Sequence, residues 1–422
     1  MSPIGSSRCL SNGEVPSLQT TAVDERSDRR VKEDGRPGPL HLALEFAGLL
    51  GRLSPLVLTP AWLALAAVAC WPWDNLRLPV ALLALAFTLF DGVSLALLPR
   101  FQRSFGDVTP PLFALACLRT IILFGLGLIS ATTPVFFVGL GLNAAIAAVA
   151  VYATWIEPFR VGVTRMTLQS SKLSGAGPLR ILHLSDIHIE RISPRDRAVL
   201  REVQRLSPDA VVLTGDYFNL SSIDDPHAHA AGREWMAELC AVAHGPVYAV
   251  TGSPRVDRAD VVPGVFEGLP VNWLHDETDV VELGEHRIRL IGLRCANDRS
   301  VDVPRLRRLT DGWVDGSEFS LLLYHSPDLM PEAVDLGIDL YLCGHTHGGQ
   351  IRFPLIGALL TSSEFWKRYE MGRYDEDGST LYVSRGLGVE GLGAPRARFL
   401  APPEIVLWEL TSEKSSKDIV EA

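Results

Sequence analysis

The chain has 422 residues, 47% of them apolar and 21% charged, with a formal net charge of −10. That length exceeds one ordinary core, since domains run to roughly 100–200 residues, and two or three units are expected. The acidic balance excludes a general nucleic-acid binder, which needs a basic face to neutralise phosphates.

The apolar excess is concentrated between about Leu53 and Ile156. Residues 1–38 carry Arg26, Arg29, Arg30, Lys32 and Arg36 among Ser, Gly and Pro, with no apolar periodicity, and read as a disordered basic tail. No apolar core precedes Leu40, so this is not a cleaved signal peptide. Segment 39–51 is too short to span a bilayer and reads as an interfacial helix. Four apolar stretches follow, near 53–73, 78–98, 112–130 and 134–156, each about the ~20 residues a helix needs to cross the hydrocarbon core. A bundle of about four transmembrane helices over 39–158 is therefore expected, with the lipid bilayer as a partner. Arg100 and Arg103 in the 99–111 loop, the basic tail, and the absence of Lys or Arg from 131–133 orient it. The tail, that loop and everything beyond Ile156 should face the cytoplasm; the 74–77 turn, with Asp74 and Arg77, is the least decisive connection.

Asp91 and Arg119 lie inside two of these stretches, each seven residues from its own end of the 99–111 hairpin. In an antiparallel pair they meet at one depth, and a charge in lipid is costly unless paired. A structural ion pair that locks the two helices is expected, with a substrate or ion path as the alternative. The six cysteines, Cys9, Cys70, Cys117, Cys240, Cys295 and Cys343, form no CxxC pair and read as small buried hydrophobes rather than a disulfide framework.

From Leu173 short apolar runs alternate with helical or loop segments: 179–185, 209–214, 246–251, 286–293, 319–324, 338–343, 380–384 and 404–410. Between the first two, Ser193 as N-cap, Pro194 in the first turn, and Ala198, Val199, Val203 and Leu206 at helical spacing mark a helix. An α/β domain over 173–411 is expected, its strands buried on both faces, with 412–422 a second disordered tail. Its acids and histidines fall just past the ends of the apolar runs: Asp186-Ile187-His188, Gly215-Asp216, His325, and Gly344-His345-Thr346-His347. Ligands in open α/β sheets gather at that edge. A DxH or HTH pair on extended chain points both side chains to one side. Six nitrogen and oxygen donors without a cysteine suit Mn²⁺, Fe or Zn²⁺.

This ordered set, DIH, GDYFN, HSPD and GHTHGG, resembles the calcineurin-like metallophosphoesterases. Ser384-Arg385-Gly386-Leu387-Gly388 and Pro395-Arg396 are similar to segments of their membrane-associated bacterial branch. The resemblance covers roughly residues 178–411. It implies a four-layer α/β/β/α sandwich and two divalent metal ions. Asp186, His188 and His347 would bind the first, His325 and His345 the second, and Asp216 would bridge them. It implies hydrolysis of a phosphoester or pyrophosphate by a hydroxide between metals about 3.5–4 Å apart, with Arg385 set as a phosphate clamp against a surface salt bridge. A membrane-associated, lipid-linked substrate such as UDP-2,3-diacylglucosamine is implied as well; no protein partner is indicated. His183 is a candidate support for the site.

The chain departs from the family at Gly252-Ser253-Pro254-Arg255, where Gly-Asn-His-Asp or Gly-Asn-His-Glu is expected. The Asn ligand of the second metal and the His that serves in proton transfer are both missing there. Asp257, His227, His229 and His244 are the nearby groups that could substitute. The departure supports an alternative: a catalytically weak or inactive, metal-binding regulatory membrane protein.

Overall fold

The computed structural model describes residues 53, 57–313, 317–358, 360–391 and 396–412. The basic tail, segment 39–51, Pro55, Pro395 and the C-terminal tail beyond Ser412 lie outside the described residues.

Among the described residues four apolar helices come first: α1 (Thr59–Cys70), α2 (Arg77–Leu97), α3 (Thr109–Ile129) and α4 (Thr133–Val151). Pro60, Pro110 and Pro134 each sit at the start of a helix, where a missing N–H costs nothing. Among the described residues three stretches are long and apolar enough to cross a membrane: Thr59–Phe101, Thr109–Ile129 and Thr133–Phe159. The first holds both α1 and α2, broken at Asp74, whose backbone is non-helical (φ 40°). Two of the four expected stretches thus fall within one of these three. In its 12 described residues α1 rises only about 18 Å.

Asp91 and Arg119 do meet. The Arg119 guanidinium donates from Nε and Nη2 to the two Asp91 oxygens, both at 2.9 Å, and from Nη1 to the Asn143 carbonyl at 2.8 Å, all out of solvent. Asn143 of α4 joins the pair, so three helices are tied at one depth.

Two six-stranded sheets follow. The first has the order β1-β14-β2-β3-β4-β5, built from β1 (Gly162–Gln169), β2 (Leu179–Leu184), β3 (Ala210–Leu213), β4 (Val247–Ala249), β5 (Val271–Trp273) and β14 (Glu404–Thr411). The second has the order β12-β13-β9-β8-β7-β6, built from β6 (Glu277–Leu283), β7 (His286–Gly292), β8 (Phe319–Leu323), β9 (Leu340–Cys343), β12 (Gly372–Glu376) and β13 (Ser379–Val383). A small hairpin, β10 (Arg352–Phe353) with β11 (Gly357–Ala358), stands apart.

Side-chain alternation builds the layers. Leu182 and Leu184 of β2 pack under α5 (Pro194–Leu206) and α6 (Pro226–Val242), while Leu179 and Ile181 face the other sheet. Phe319, Leu321 and Leu323 of β8 meet them there. Leu322, Tyr341 and Cys343 turn outward to a third core under α7 (Arg299–Leu309) and α8 (Met330–Asp335). Helix, sheet, sheet, helix is the expected four-layer sandwich. Helix α5 starts where expected, with the Ser193 N–H and hydroxyl both donating to Asp196.

Strand β1 falls between the two expected domains and pairs in parallel with β14 over its whole length. The α/β domain is also fastened to the segment that follows α4 and to the loop between α2 and α3. Ala401 N–H donates to Glu157 (2.7 Å), Arg398 N–H to the Ala153 carbonyl (2.9 Å), and Phe105 N–H to Glu190 (3.3 Å).

Candidate metal centre

Strands β2, β3, β8 and β9 end side by side, and the loops leaving them carry the six residues singled out in the sequence. Asp186, His188 and His347 come together, as do Asp216, His325 and His345. Asp216 Oδ2 links the groups, at 3.2 Å from His325 Nε2 and 3.8 Å from His188 Nε2. His347 Nε2 lies 3.4 Å from Asp186 Oδ1 and 3.0 Å from His188 Nε2.

The backbone reaches this arrangement differently from the extended-chain expectation. Asp186, His188, Asp216, His345 and His347 all have φ between 47° and 71°. These are left-handed turns, not strand continuations, and each costs a non-glycine residue roughly 1–2 kcal/mol. Such strain persists only where surrounding contacts over-determine it, and it gathers at functional sites. The contacts are present: Asp186 N–H donates to Gly215 O, His188 N–H to Asp216 O, and His345 N–H to the Asp186 carboxylate. Gly215 (φ 93°) has no substitute, because a Cβ there would lie 2.2 Å from Gly252 N.

Hydrogen bonding fixes which nitrogens point inward. His188 Nδ1 faces the Phe218 carbonyl at 2.9 Å, His325 Nδ1 the Thr214 carbonyl at 2.8 Å, and His345 Nε2 the Ser362 carbonyl at 3.2 Å. A carbonyl only accepts, so each of these nitrogens carries the proton and the opposite one presents a lone pair to the centre. His325 Nε2 and His345 Nδ1 consequently face each other at 3.1 Å beside a carboxylate. Lone pairs and carboxylates converging in a buried space call for a cation, and this donor set fits one or two divalent ions.

Until a metal takes its place, a proton on His325 Nε2 answers the same demand for positive charge. Burial opposes both charges, yet Asp216 and His325 stabilise each other: the carboxyl is held down to about 2 and the imidazole is raised to about 10. Burial and the neighbouring His325 lower His345, and burial with His188 lowers His347.

In the altered loop, Ser253 N–H donates to Asp216 Oδ1 at 2.7 Å and Ser253 Oγ lies 3.4 Å from His345 Nδ1. The candidate substitutes are engaged elsewhere. Asp257 accepts from the N–H groups of Asp216, Tyr217 and Gly252 at 2.7–2.9 Å, pinning the loop. Burial and Asp216 push it up to about 7. His229 Nε2 meets the Ile223 carbonyl at 2.7 Å, and His227 and His244 are exposed.

Arg385 makes the salt bridge rather than a free clamp: Nη2 sits 2.6 Å from the buried Glu404 carboxylate, and its backbone N–H donates to the same residue. His183 is fully buried on β2 with Nε2 2.8 Å from Thr214 Oγ1, and burial lowers it to about 3. It steadies Thr214, whose carbonyl holds His325. Two residues went unread in the sequence. Arg398, fully buried, donates to the carbonyls of Arg385, Gly388 and Ala401 and so ties residues 385–388 to 398–401. Glu390 stands with His188 and Asp216 as a third group able to hold a metal.

Residues 179–349 match the Calcineurin-like phosphoesterase family. All six expected ligands fall inside that range, and Arg385, Glu390 and Arg398 beyond it. The chain is similar to the metallophosphoesterase YkuE of Bacillus subtilis, with 29% identity over 273 residues covering 62% of this chain and 89% of that protein. It is 23% identical over 339 residues to the UDP-2,3-diacylglucosamine pyrophosphatase LpxG of Chlamydia trachomatis, covering 66% of this chain and 99% of that one. The phosphodiesterase YaeI of Escherichia coli is 28% identical over 278 residues, covering 61% and 92% respectively.

Proposed function

We propose that this chain, whose residues 179–349 match the Calcineurin-like phosphoesterase family, is a metal-dependent hydrolase that cleaves a phosphoester or pyrophosphate bond of a lipid-linked substrate at the membrane face. One divalent ion would be held by Asp186, His188 and His347, a second by His325 and His345, with Asp216 between them. The observation that carries this reading is the position of Asp216 Oδ2, within 4 Å of an inward-facing nitrogen of each set. Bound there, the ions would supply charge neutralisation for the phosphoryl oxygens and lower the pKa of the attacking water. The protein's part is orientation: Ser253 N–H fixes Asp216, and the carbonyls of Thr214, Phe218 and Ser362 fix three imidazoles.

A membrane substrate is favoured by the fastening of residues 398–401, which are tied to 385–388 beside the site, to the segment that follows α4 through Ala153 and Glu157. A nucleotide-linked acylated sugar is the chemistry that the name of the Chlamydia relative suggests. The test is hydrolysis by the full chain in detergent micelles with Mn²⁺, using UDP-2,3-diacylglucosamine and bis(4-nitrophenyl) phosphate. Turnover of both, with UMP released from the first, is expected. A chain that binds Mn²⁺ but cleaves neither is a regulatory metal-binding protein, and the proposal fails.

A further inference from the structure

The 384–391 loop comes back over the candidate centre, and its approach is specific. A Cβ at Gly388 would lie 2.5 Å from both His188 Cβ and the Ile187 carbonyl, so only glycine lets the loop pass this close. Beyond it, Asn219 Nδ2 holds the Val389 carbonyl at 2.7 Å, and Glu390 N–H donates to Gln350 Oε1 at 2.7 Å. Gly391 N–H donates to Glu390 Oε1 at 2.8 Å, which leaves the other carboxylate oxygen turned inward. That oxygen, Oε2, lies 3.7 Å from His188 Nε2. The donor atoms of His188, Asp216 and Glu390 all lie within 4.8 Å of one another.

From this geometry we propose that Glu390 is a further metal ligand, which supplies a third carboxylate to the centre on its His188 and Asp216 side. The inference rests on the dinuclear reading of the six other residues. Donors about 2.0–2.2 Å from a common ion can be up to ~4.4 Å apart, so this trio closes on one with shifts of tenths of an ångström. His188 Nδ1 faces the Phe218 carbonyl, so Nε2 directs a lone pair at both carboxylates, an arrangement that is repulsive without a cation at its focus. Ser253, by contrast, offers only a short neutral hydroxyl beside His345. The donor that the 252–255 loop lacks belongs to the His325 and His345 side, so Glu390 does not replace it in position; it adds an anionic ligand on the His188 side, from a loop more than 130 residues later in the chain. A third carboxylate lowers the residual positive charge by one unit, which holds the ions more tightly and softens their pull on a bound water.

The experiment is titration of the full, detergent-solubilised chain with Mn²⁺, counting free ion by its electron paramagnetic resonance signal, for the wild type, Glu390→Gln and Glu390→Asp. The wild type should bind two ions. Glu390→Gln should weaken one of them by ~10-fold or more, by comparison with what even indirect support of a metal is worth. Glu390→Asp keeps the charge but withdraws it, and should also lose affinity. Unchanged affinity in the Gln variant overturns the proposal, and so does wild-type affinity in the Asp variant, which would show that charge alone suffices. Thermal unfolding in EDTA checks the fold, and if only the Gln variant is impaired there, the Asp variant decides. A wild type that binds no metal refutes the dinuclear reading instead, so the two failures are distinct.

Discussion

Asp216 is asked to do more than any other residue of the centre, because its carboxylate serves both imidazole sets and stays ionised despite full burial. Asp216→Ala should abolish hydrolysis and leave fewer than two ions per chain, measured by elemental analysis after desalting. Near-normal turnover with two ions would remove Asp216 from the bridging role. The altered loop allows a gain-of-function test at the same scale. Asn at 253 would extend an amide oxygen from the backbone already held by Asp216, and His at 254 would restore a proton-transfer group, worth on the order of 10²–10⁴-fold in rate where proton transfer limits. Ser253→Asn with Pro254→His should therefore raise turnover most for substrates with poor leaving groups. Equal effects on nitrophenyl and alkyl phosphodiesters would show that proton transfer does not limit. The six ligand candidates were legible in the sequence because each follows an apolar run and carries a group with few structural uses there. Glu390 and Arg398 were not, since a glutamate and an arginine in a loop look like surface residues until Gly388 brings that loop against His188. The left-handed backbone at five of the six was equally invisible: no pattern of side chains reports φ.

The elements that could be read were those buried on both sides. Strands β2, β3, β8 and β9 are mostly apolar runs, and the sequence places them within two residues of their observed limits. Strands β1, β5, β6 and β12 lie at or next to the sheet edges, alternate between polar and apolar residues, and left no comparable signal. Strand β1 has a practical consequence. It covers the edge of β14, so a chain beginning at residue 173 would expose eight residues' worth of unpaired backbone that β1 otherwise covers. Such a chain should aggregate in size-exclusion chromatography where one beginning at residue 160 stays monodisperse, and equal behaviour would make β1 dispensable. Among the helices, the Asp91–Arg119 pair is a matched element whose value depends on both members. Removing one leaves an uncompensated buried charge, at about 3–5 kcal/mol, whereas replacing both with apolar residues is often neutral. Asp91→Leu should lower the unfolding temperature in detergent, and the Asp91→Leu, Arg119→Leu double variant should recover it with hydrolysis intact. A double variant that is stable but inactive would instead put the pair on a substrate or ion path.

At the scale of the molecule the question is which side of the membrane the centre faces. The loop between α2 and α3, with Arg100 and Arg103, lies at the same end of the helices as the α/β domain. Arg103 Nη1 donates to the Trp155 carbonyl at 2.6 Å, its guanidinium stacks over Phe159 at 4.4 Å, and Phe105 N–H reaches Glu190. The turn between α3 and α4, residues 130–132, has no Lys or Arg and lies at the opposite end. Basic residues in short flanks are retained on the cytoplasmic side, so the loop, and the domain fastened beside it, should both be cytoplasmic. The two connections flank the same helix, α3, so their contrast sets its direction whether or not α1 crosses the bilayer. Alkaline phosphatase fused after Val161 should give no activity outside the cytoplasmic membrane, and fused after Ala131 it should give strong activity there. The reverse pattern would turn the domain outward and remove access to cytoplasmic nucleotide-linked lipids.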